Sequence, residues 1–375
     1  MIDFEQELHK LRECDALRSF PLPAEAHMVN LSTNDYMGIA DRTDLRDQFL
    51  ASCPDAYCHF TAASSRLLTG NHLAYTALEN ELTDLYGGRA ATVFDSGYHV
   101  NTGLLPCLAD KNDLILIDKL AHASLVDATV TCRANGVTVL RFNHNDVAHL
   151  TTLLQKYRSS AQRCFIVTES IFSMDGDMAP LAEFVEVKKR FDSWLYVDEA
   201  HGVGVRGPQG EGLLGELGLV DQTDIIVGTC GKALASVGAY AITDPTVAQW
   251  IVNKCRTMIF TTALPPINVA WTTFVVRQLR GMNHERQELI NTSLWLHEQL
   301  GLCANGGITQ IIPYICGENS SAVANAARLR NGGFYVLPIR HPTVPLHQAR
   351  LRLSLKANIS KQQLMPLVAL LSQQS

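Results

Sequence analysis

The sequence predicts an α/β protein, with a mostly parallel seven-stranded sheet in a large domain and a smaller C-terminal α+β domain. Three observations carry this. Short apolar runs at 91–94, 114–117, 137–142, 164–168, 194–197, 225–227 and 239–242 alternate with helical patterns. That alternation gives a parallel sheet with helices on both faces. Polar and small residues directly follow several of the runs, at the strand ends where open α/β sheets place their ligands. After Asp244 the pattern turns to long helical stretches and then to a mixed region. A chain of 375 residues is also longer than one simple core usually serves.

Taken in order, residues 1–30 read as an amphipathic helix with Phe4, Leu8, Leu11, Cys14 and Leu17 on one face, then a loop broken by Pro21 and Pro23. Between Asn71 and Tyr86, Ala74, Leu78, Leu82 and Leu85 fall at helical spacing, and Gly87-Gly88 stops the helix. Residues 146–157 place Val147, Leu150, Leu153 and Leu154 inward. Residues 180–191 set Pro180 in a first turn and Lys188-Lys189-Arg190 at the negative end of the dipole. Helical stretches follow at 247–256 and 268–300, then strands near 308–315 and 350–355 and helices near 321–331 and 360–371. Ser360 and Gln363 have capping-box spacing. The expected division is an arm at 1–35, a large domain at 36–255 and a small domain at 256–375.

Composition narrows the function. Lys and Arg number 31 against 37 Asp and Glu, a net charge of −6, and the basic residues are scattered. Nucleic acid is therefore an improbable partner, because phosphate binding needs a basic face. None of the ten cysteines forms a C-x-x-C pair, which argues against a zinc ribbon or dithiol motif and fits a reducing cytoplasm. The N-terminus lacks the pattern of a signal peptide, and no apolar run is long enough to span a bilayer. The histidines show no metal-ligand spacing, so no metal is expected.

Gly202-x-Gly204-x-x-Gly207 matches a dinucleotide fingerprint, but Pro208, Gly210 and Gly212 follow where a helix should open. Residues 228–232 lack Walker spacing. Those readings fail, and an acid-plus-lysine reading remains. Asp198 ends one apolar strand and His201 follows in the same loop; Lys232 follows another strand among Ala233, Leu234 and Ala235. A lone Asp there would read as a loop acid. With the imidazole and an amine that apolar neighbours make easier to deprotonate, the set matches what pyridoxal 5'-phosphate requires. Ser96-Gly97-Tyr98 follows a strand and opens a helix, which suits a phosphate and equally a plain turn. His122 suits ring stacking or simple core filling.

Ordered motifs extend the case: Ser32-Thr33-Asn34-Asp35-Tyr36-Met37-Gly38, Ser65-Arg66-Leu67-Leu68-Thr69-Gly70, Asp95-Ser96-Gly97-Tyr98, His122-Ala123-Ser124, residues 169–177, Asp198-Glu199-Ala200-His201-Gly202, residues 228–232 and Phe260-Thr261-Thr262. From about Asn30 to Asn358 the chain resembles the α-oxoamine synthases, pyridoxal-phosphate enzymes of fold type I related to the class II aminotransferases. Residues 65–71, and the run Ile339-Arg340-His341-Pro342-Thr343-Val344-Pro345, resemble the members that condense L-alanine with a pimeloyl thioester in biotin synthesis. Acetyl-CoA:glycine enzymes share the cofactor residues and are the alternative. The arm before Asn30 is short, and Thr61-Ala62-Ala63-Ser64 replaces a glycine-rich run.

The resemblance implies the following roles. Lys232 forms the internal aldimine and later removes the α-proton. Asp198 pairs with the pyridine nitrogen, His122 stacks on the ring, and His201 bonds its phenolic oxygen and assists catalysis. Gly97, Tyr98, Thr229 and, from a second copy in a homodimer, Thr262 hold the phosphate, while Ser173 lines the cofactor site. Arg352 binds the amino-acid carboxylate; His122, Thr343 and Arg18 touch substrate. The acyl carrier is coenzyme A or acyl-carrier protein.

Overall fold

The computed structural model describes residues 2–303 and 306–372. The chain packs as two compact units, one of residues 37–172 and 178–286, the other of residues 1–36, 173–177 and 287–375.

The larger unit holds seven strands: β1 (Ala90–Phe94), β2 (Leu114–Asp118), β3 (Thr138–Phe142), β4 (Cys164–Glu169), β5 (Trp194–Asp198), β6 (Ile225–Thr229) and β7 (Ala239–Thr243). Their order across the sheet is β1-β7-β6-β5-β4-β2-β3, and only β7 runs antiparallel to its neighbours. Every expected run is a strand. β2, β4, β6 and β7 are buried along their whole length, which is why they read as unbroken apolar runs rather than alternating ones. The other six strands point their carboxyl ends to one edge, so Phe94, Asp118, Glu169, Asp198 and Thr229 finish there together.

Helices Leu73–Leu85, Gly97–Leu108, Ala123–Ala134, Val147–Tyr157 and Leu181–Arg190 fill the connections. Sequence periodicity had predicted the first and the last two. Asp146 caps its helix by accepting from the His149 amide at 2.8 Å. Pro180 stands at the N-cap itself rather than inside the first turn. The Gly202–Gly212 segment is a series of turns with positive φ at Gly204, Gly207, Gly210 and Gly212, in keeping with rejection of the dinucleotide fingerprint.

The smaller unit carries β8 (Ile311–Gly317), β9 (Pro338–Ile339) and β10 (Ala349–Ser354), in the order β9-β10-β8 and antiparallel throughout. Helices Asn319–Asn331 and Lys361–Ser372 accompany them. The capping box forms, with Ser360 N donating to Gln363 Oε1 (2.9 Å) and Gln363 N to Ser360 Oγ (3.3 Å). Val29–Asn30 pairs in parallel with Phe334–Tyr335.

Two boundaries differ from expectation. The 268–300 stretch is two helices, Pro266–Arg280 and Asn283–Gln299, parted at Gly281. The first packs on Leu73–Leu85, with Arg277 and Arg280 both paired to Glu81. The larger unit therefore runs to Arg286 rather than ending at 255. The arm is no separate body either. Arg340 donates to the carbonyl of Asp15 (2.6 Å), Asn319 to that of Cys14 (2.9 Å) and the Tyr335 hydroxyl to that of Leu22 (2.8 Å). Its helix, Phe4–Glu13, buries none of its residues. Among the described residues no helix is long and apolar enough to cross a membrane, and no three His, Cys, Asp or Glu form a metal cluster.

Gly228, in β6, lies against the ring of Tyr240 on β7; a methyl added there would stand 2.2 Å from the ring. Both sides are fully buried, and the Tyr240 hydroxyl is tied to that of Tyr86 at 2.9 Å. We expect Gly228→Ala to destabilise the protein by about 1–3 kcal/mol, measured by urea unfolding. An unchanged midpoint would show that the ring can move.

Candidate active site

The carboxyl edge of the large sheet gathers the chemistry. Asp198 ends β5, 5% exposed. Its Oδ1 accepts from the Ala200 amide at 2.8 Å and its Oδ2 from Asn101 Nδ2 at 2.6 Å. Three residues on, His201 is buried, and its Nε2 lies 2.8 Å from Lys232 Nζ. Lys232 is half-buried in the turn after β6. A protonated Lys232 can only donate in that contact; a neutral one can also accept.

His122 is the N-cap of the Ala123–Ala134 helix. Its Nδ1 lies 2.8 Å from Ser124 Oγ and 3.2 Å from the Ser124 amide. Its own amide donates to Glu169 Oε1 at 2.6 Å. The residue is exposed overall, whereas Ser124 beneath the Nδ1 edge is buried. Partial burial of the imidazole holds its pKa below its ordinary value, against the opposing pull of Asp198. Burial, reinforced by the neighbouring Asp198, pushes the Glu169 carboxyl well above the usual carboxylate range.

The Gly97–Leu108 helix opens at the same edge, capped by Ser96 Oγ, which accepts from the His99 amide at 3.2 Å. The amides of Gly97 and Tyr98 lie at the positive end of its dipole. A methyl on Gly97 would stand 3.5 Å from Thr229 Oγ1, so the helix start and the Thr229 hydroxyl are neighbours. The Tyr98 hydroxyl donates to Asp127 Oδ2 at 2.7 Å, and that bond raises its pKa. Thr262 is exposed, between Thr261, which donates to Asp95 Oδ2 (2.7 Å), and Ala263, whose amide donates to Ser64 O (2.9 Å). Two surface clefts of about 570 and 600 Å³ lie near Trp194, at the amino ends of the strands, and no expected site residue lines either.

The remaining expected residues belong to the smaller unit, in two groups. Arg352, 9% exposed, donates from Nε to Ser173 O (2.5 Å), from Nη1 to Asn34 Oδ1 (3.0 Å) and Ser354 Oγ (2.6 Å), and from Nη2 to Tyr36 Oη (3.0 Å). These four bonds hold its plane firmly. Ser173 thus contributes its carbonyl to the arginine. Arg18 and Thr343, both exposed, meet each other, Nη2 to Oγ1 at 2.8 Å.

Sequence reasoning missed Asn101, Tyr196 and Glu199 as members of this edge. Asn101 lies in the middle of a helix, where nothing in the sequence distinguishes it from a surface amide. Tyr196 had a legible signal: two residues before Asp198 on one strand, it shares that face.

Residues 26–371 match the family described as aminotransferase class I and II. The chain belongs to that family. A Haemophilus ducreyi protein named 8-amino-7-oxononanoate synthase is 45% identical over 388 residues, 98% of this chain and 99% of the relative. Sphingomonas wittichii serine palmitoyltransferase superposes with a TM-score of 0.84 at 32% identity, over 92% of this chain and 86% of that one. A serine palmitoyltransferase from S. paucimobilis with a bound PLP–myriocin aldimine gives 0.88 at 28% identity, over 99% and 96%. The donor set at the strand edge fits pyridoxal 5'-phosphate. An acceptor carboxylate, an amine paired with an imidazole, an open imidazole face and a helix start beside a hydroxyl are all present.

Glu199, fully buried, accepts from Ser170 Oγ (2.5 Å) and from the amides of Leu213 (3.1 Å) and Leu214 (2.6 Å). It thereby closes the loop that carries His201. Burial outweighs these donors and pushes its pKa up to about 7 from the usual 4.5. An acid raised in this way stabilises the fold fully below about pH 4.5, and that contribution is lost as pH rises through about 7. A shift of this size is worth on the order of 3 kcal/mol. Urea unfolding between about pH 5 and pH 8 is expected to show that decline, and Glu199→Gln to flatten it. Equal slopes in the two proteins would assign the decline to another group.

Proposed function

We propose that this chain is a pyridoxal-phosphate-dependent 8-amino-7-oxononanoate synthase. It joins L-alanine to a pimeloyl thioester of coenzyme A or acyl-carrier protein and releases carbon dioxide and free thiol, a step of biotin synthesis. The observation that carries this is the pairing of the Lys232 amine with His201 at 2.8 Å, at the strand edge that also holds the buried Asp198. The choice of substrates is supported by the near full-length relative bearing that name. Ten free thiols fit a reducing cytoplasm.

The bound cofactor supplies an electron sink for negative charge at the amino-acid α-carbon. Asp198, oriented by Asn101 and Ala200, holds a proton at the ring nitrogen from its carboxylate. Lys232 would hold the cofactor through Nζ, and the same amine would take the α-proton of L-alanine as a positioned general base. His201 orients that amine through Nε2 and is the donor for the ring oxygen. Gly97, Tyr98 and Thr229 bind the phosphate, with Ser173 as a further cofactor contact. Arg352 receives the amino-acid carboxylate; Thr343 and Arg18 contact the acyl substrate. The exposed Thr262 completes the phosphate site of a second copy, so the working form is a homodimer.

The deciding assay is thiol release from acyl thioesters with the amino acid varied. We expect pimeloyl thioester with L-alanine to exceed acetyl-CoA with glycine, and each methylene removed from the acyl chain to cost roughly 0.8 kcal/mol in kcat/KM. Equal use of both substrate pairs would instead mark a glycine C-acetyltransferase. Lys232→Ala should be colourless as isolated and inactive, and turnover by that variant would refute the lysine's role.

Mixing Lys232→Ala with Thr262→Ala tests the shared site. Hybrid dimers are expected to recover part of the activity that each variant lacks. A fully active monomer in sedimentation would rule the shared site out.

A further inference from the structure

Asn101 is 1% exposed, meets three polar groups directly and reaches a fourth through one of them. Its Nδ2 donates to Asp198 Oδ2 (2.6 Å) and to Ser124 Oγ (2.9 Å), and its Oδ1 accepts from the Tyr196 hydroxyl (2.6 Å). The fourth group, the His122 imidazole, is reached through Ser124 Oγ, 2.8 Å from Nδ1. Donor accounting settles the direction of every bond. The Asp198 oxygen is an acceptor, so Asn101 must turn its amino group toward it. The carbonyl end then faces Tyr196, whose hydroxyl burial keeps protonated and able to donate. Ser124 Oγ receives an N–H from Asn101 and, because Nδ1 must accept from the Ser124 amide, which can only donate, gives its own hydrogen to Nδ1. The Ser124 amide also points at Nδ1, from 3.2 Å. An Nδ1 offered two donors carries no proton of its own.

We infer that Asn101 is a positioning residue that orients Asp198 and, through Ser124, fixes His122 as the neutral tautomer protonated at Nε2. The inference rests on the assignment of Asp198 and His122 to the cofactor site. Its consequence is that the stacking imidazole brings no positive charge to the ring and presents one N–H donor, at Nε2, for a substrate oxygen. The charged and titratable groups facing His122 are Asp198, Lys232 and Asp127, together with Glu169, which accepts its backbone amide. Asp198 and Asp127 favour the imidazolium, whereas Lys232 opposes it. The two donors at Nδ1 act with Lys232.

The test is long-range proton–nitrogen NMR of histidine-labelled protein loaded with pyridoxal phosphate, with His122 assigned through His122→Asn. Between about pH 6 and pH 8 the expected signal is an unprotonated Nδ1 and a protonated Nε2. A proton on Nδ1 near pH 7 overturns the inference in the unaltered protein, without reliance on any variant. Asn101→Ala should let His122 take up a second proton within that range, and Ser124→Ala should do the same should the first variant fail to fold. A His122 signal unchanged in a folded Asn101→Ala protein overturns Asn101's part. Exchange of the alanine α-proton should fall at least about tenfold in these variants, with KM for alanine held within about threefold. Failure of the thioester assay would remove the proposed reaction and leave the NMR result standing, so the two failures are distinguishable.

Discussion

Asp198 and the amide that holds it are the constraint around which the large unit is arranged. A carboxylate at the end of a buried strand must be given donors, since the interior offers no water to solvate it. Two are supplied, the Ala200 amide within the same turn and Asn101 Nδ2 from the helix after β1. The second fixes how that helix lies on the sheet. It requires Asn101 to face β5, which sets Gly97 and Tyr98, one turn earlier, beside the end of β6. The same amide passes its influence through Ser124 to His122. Acid, helix start and imidazole thus depend on one another through a few short bonds, and such networks stabilise only when every member is satisfied.

Close approach is a second theme. Gly228 admits the Tyr240 ring, and a methyl on Gly202 would come 1.9 Å from Glu199 Oε2. Both glycines flank the site loops. Backbone and bulky side chains pack there without an intervening Cβ, so the loops bearing His201 and Lys232 rest on rigid supports. Glu199 serves this end too, by holding the amides of Leu213 and Leu214 against the start of its own loop.

The seven strands were legible because apolar runs alternate with helices, unbroken where β2, β4, β6 and β7 are buried on both faces. The Ala123–Ala134 helix was not, since its buried face mixes the polar Ser124 and Thr129 with Leu125 and the small Ala128 and Cys132. The 268–300 stretch carried one continuous helical pattern, and a single glycine followed by Met282 was too slight a mark to show that it was two helices. Lys232, Asp198 and His201 stood out because their types and strand-end positions match one chemistry, and the structure brings these three to one edge. Arg352 came only from family resemblance; its bonds to Tyr36 and Asn34 join residues far apart in the chain, which no local pattern encodes.

The smaller unit is assembled from segments that precede and follow the larger one in the chain, and this bears on the order in which the protein is made. On a ribosome, the strand residues Val29 and Asn30 emerge long before their partners Phe334 and Tyr335 are translated. The arm must wait, unpaired, through synthesis of the entire large sheet. All seven strands of that sheet lie within the unit that ends at Arg286, so it can close while the arm is still without its partner strand. Long-range pairing of this kind is slow and leaves surface open meanwhile. The charged character of the first helix, with Glu5, Glu7, Lys10 and Arg12 along it and no residue buried, suits a segment that keeps its contact with water before and after the strand behind it is paired.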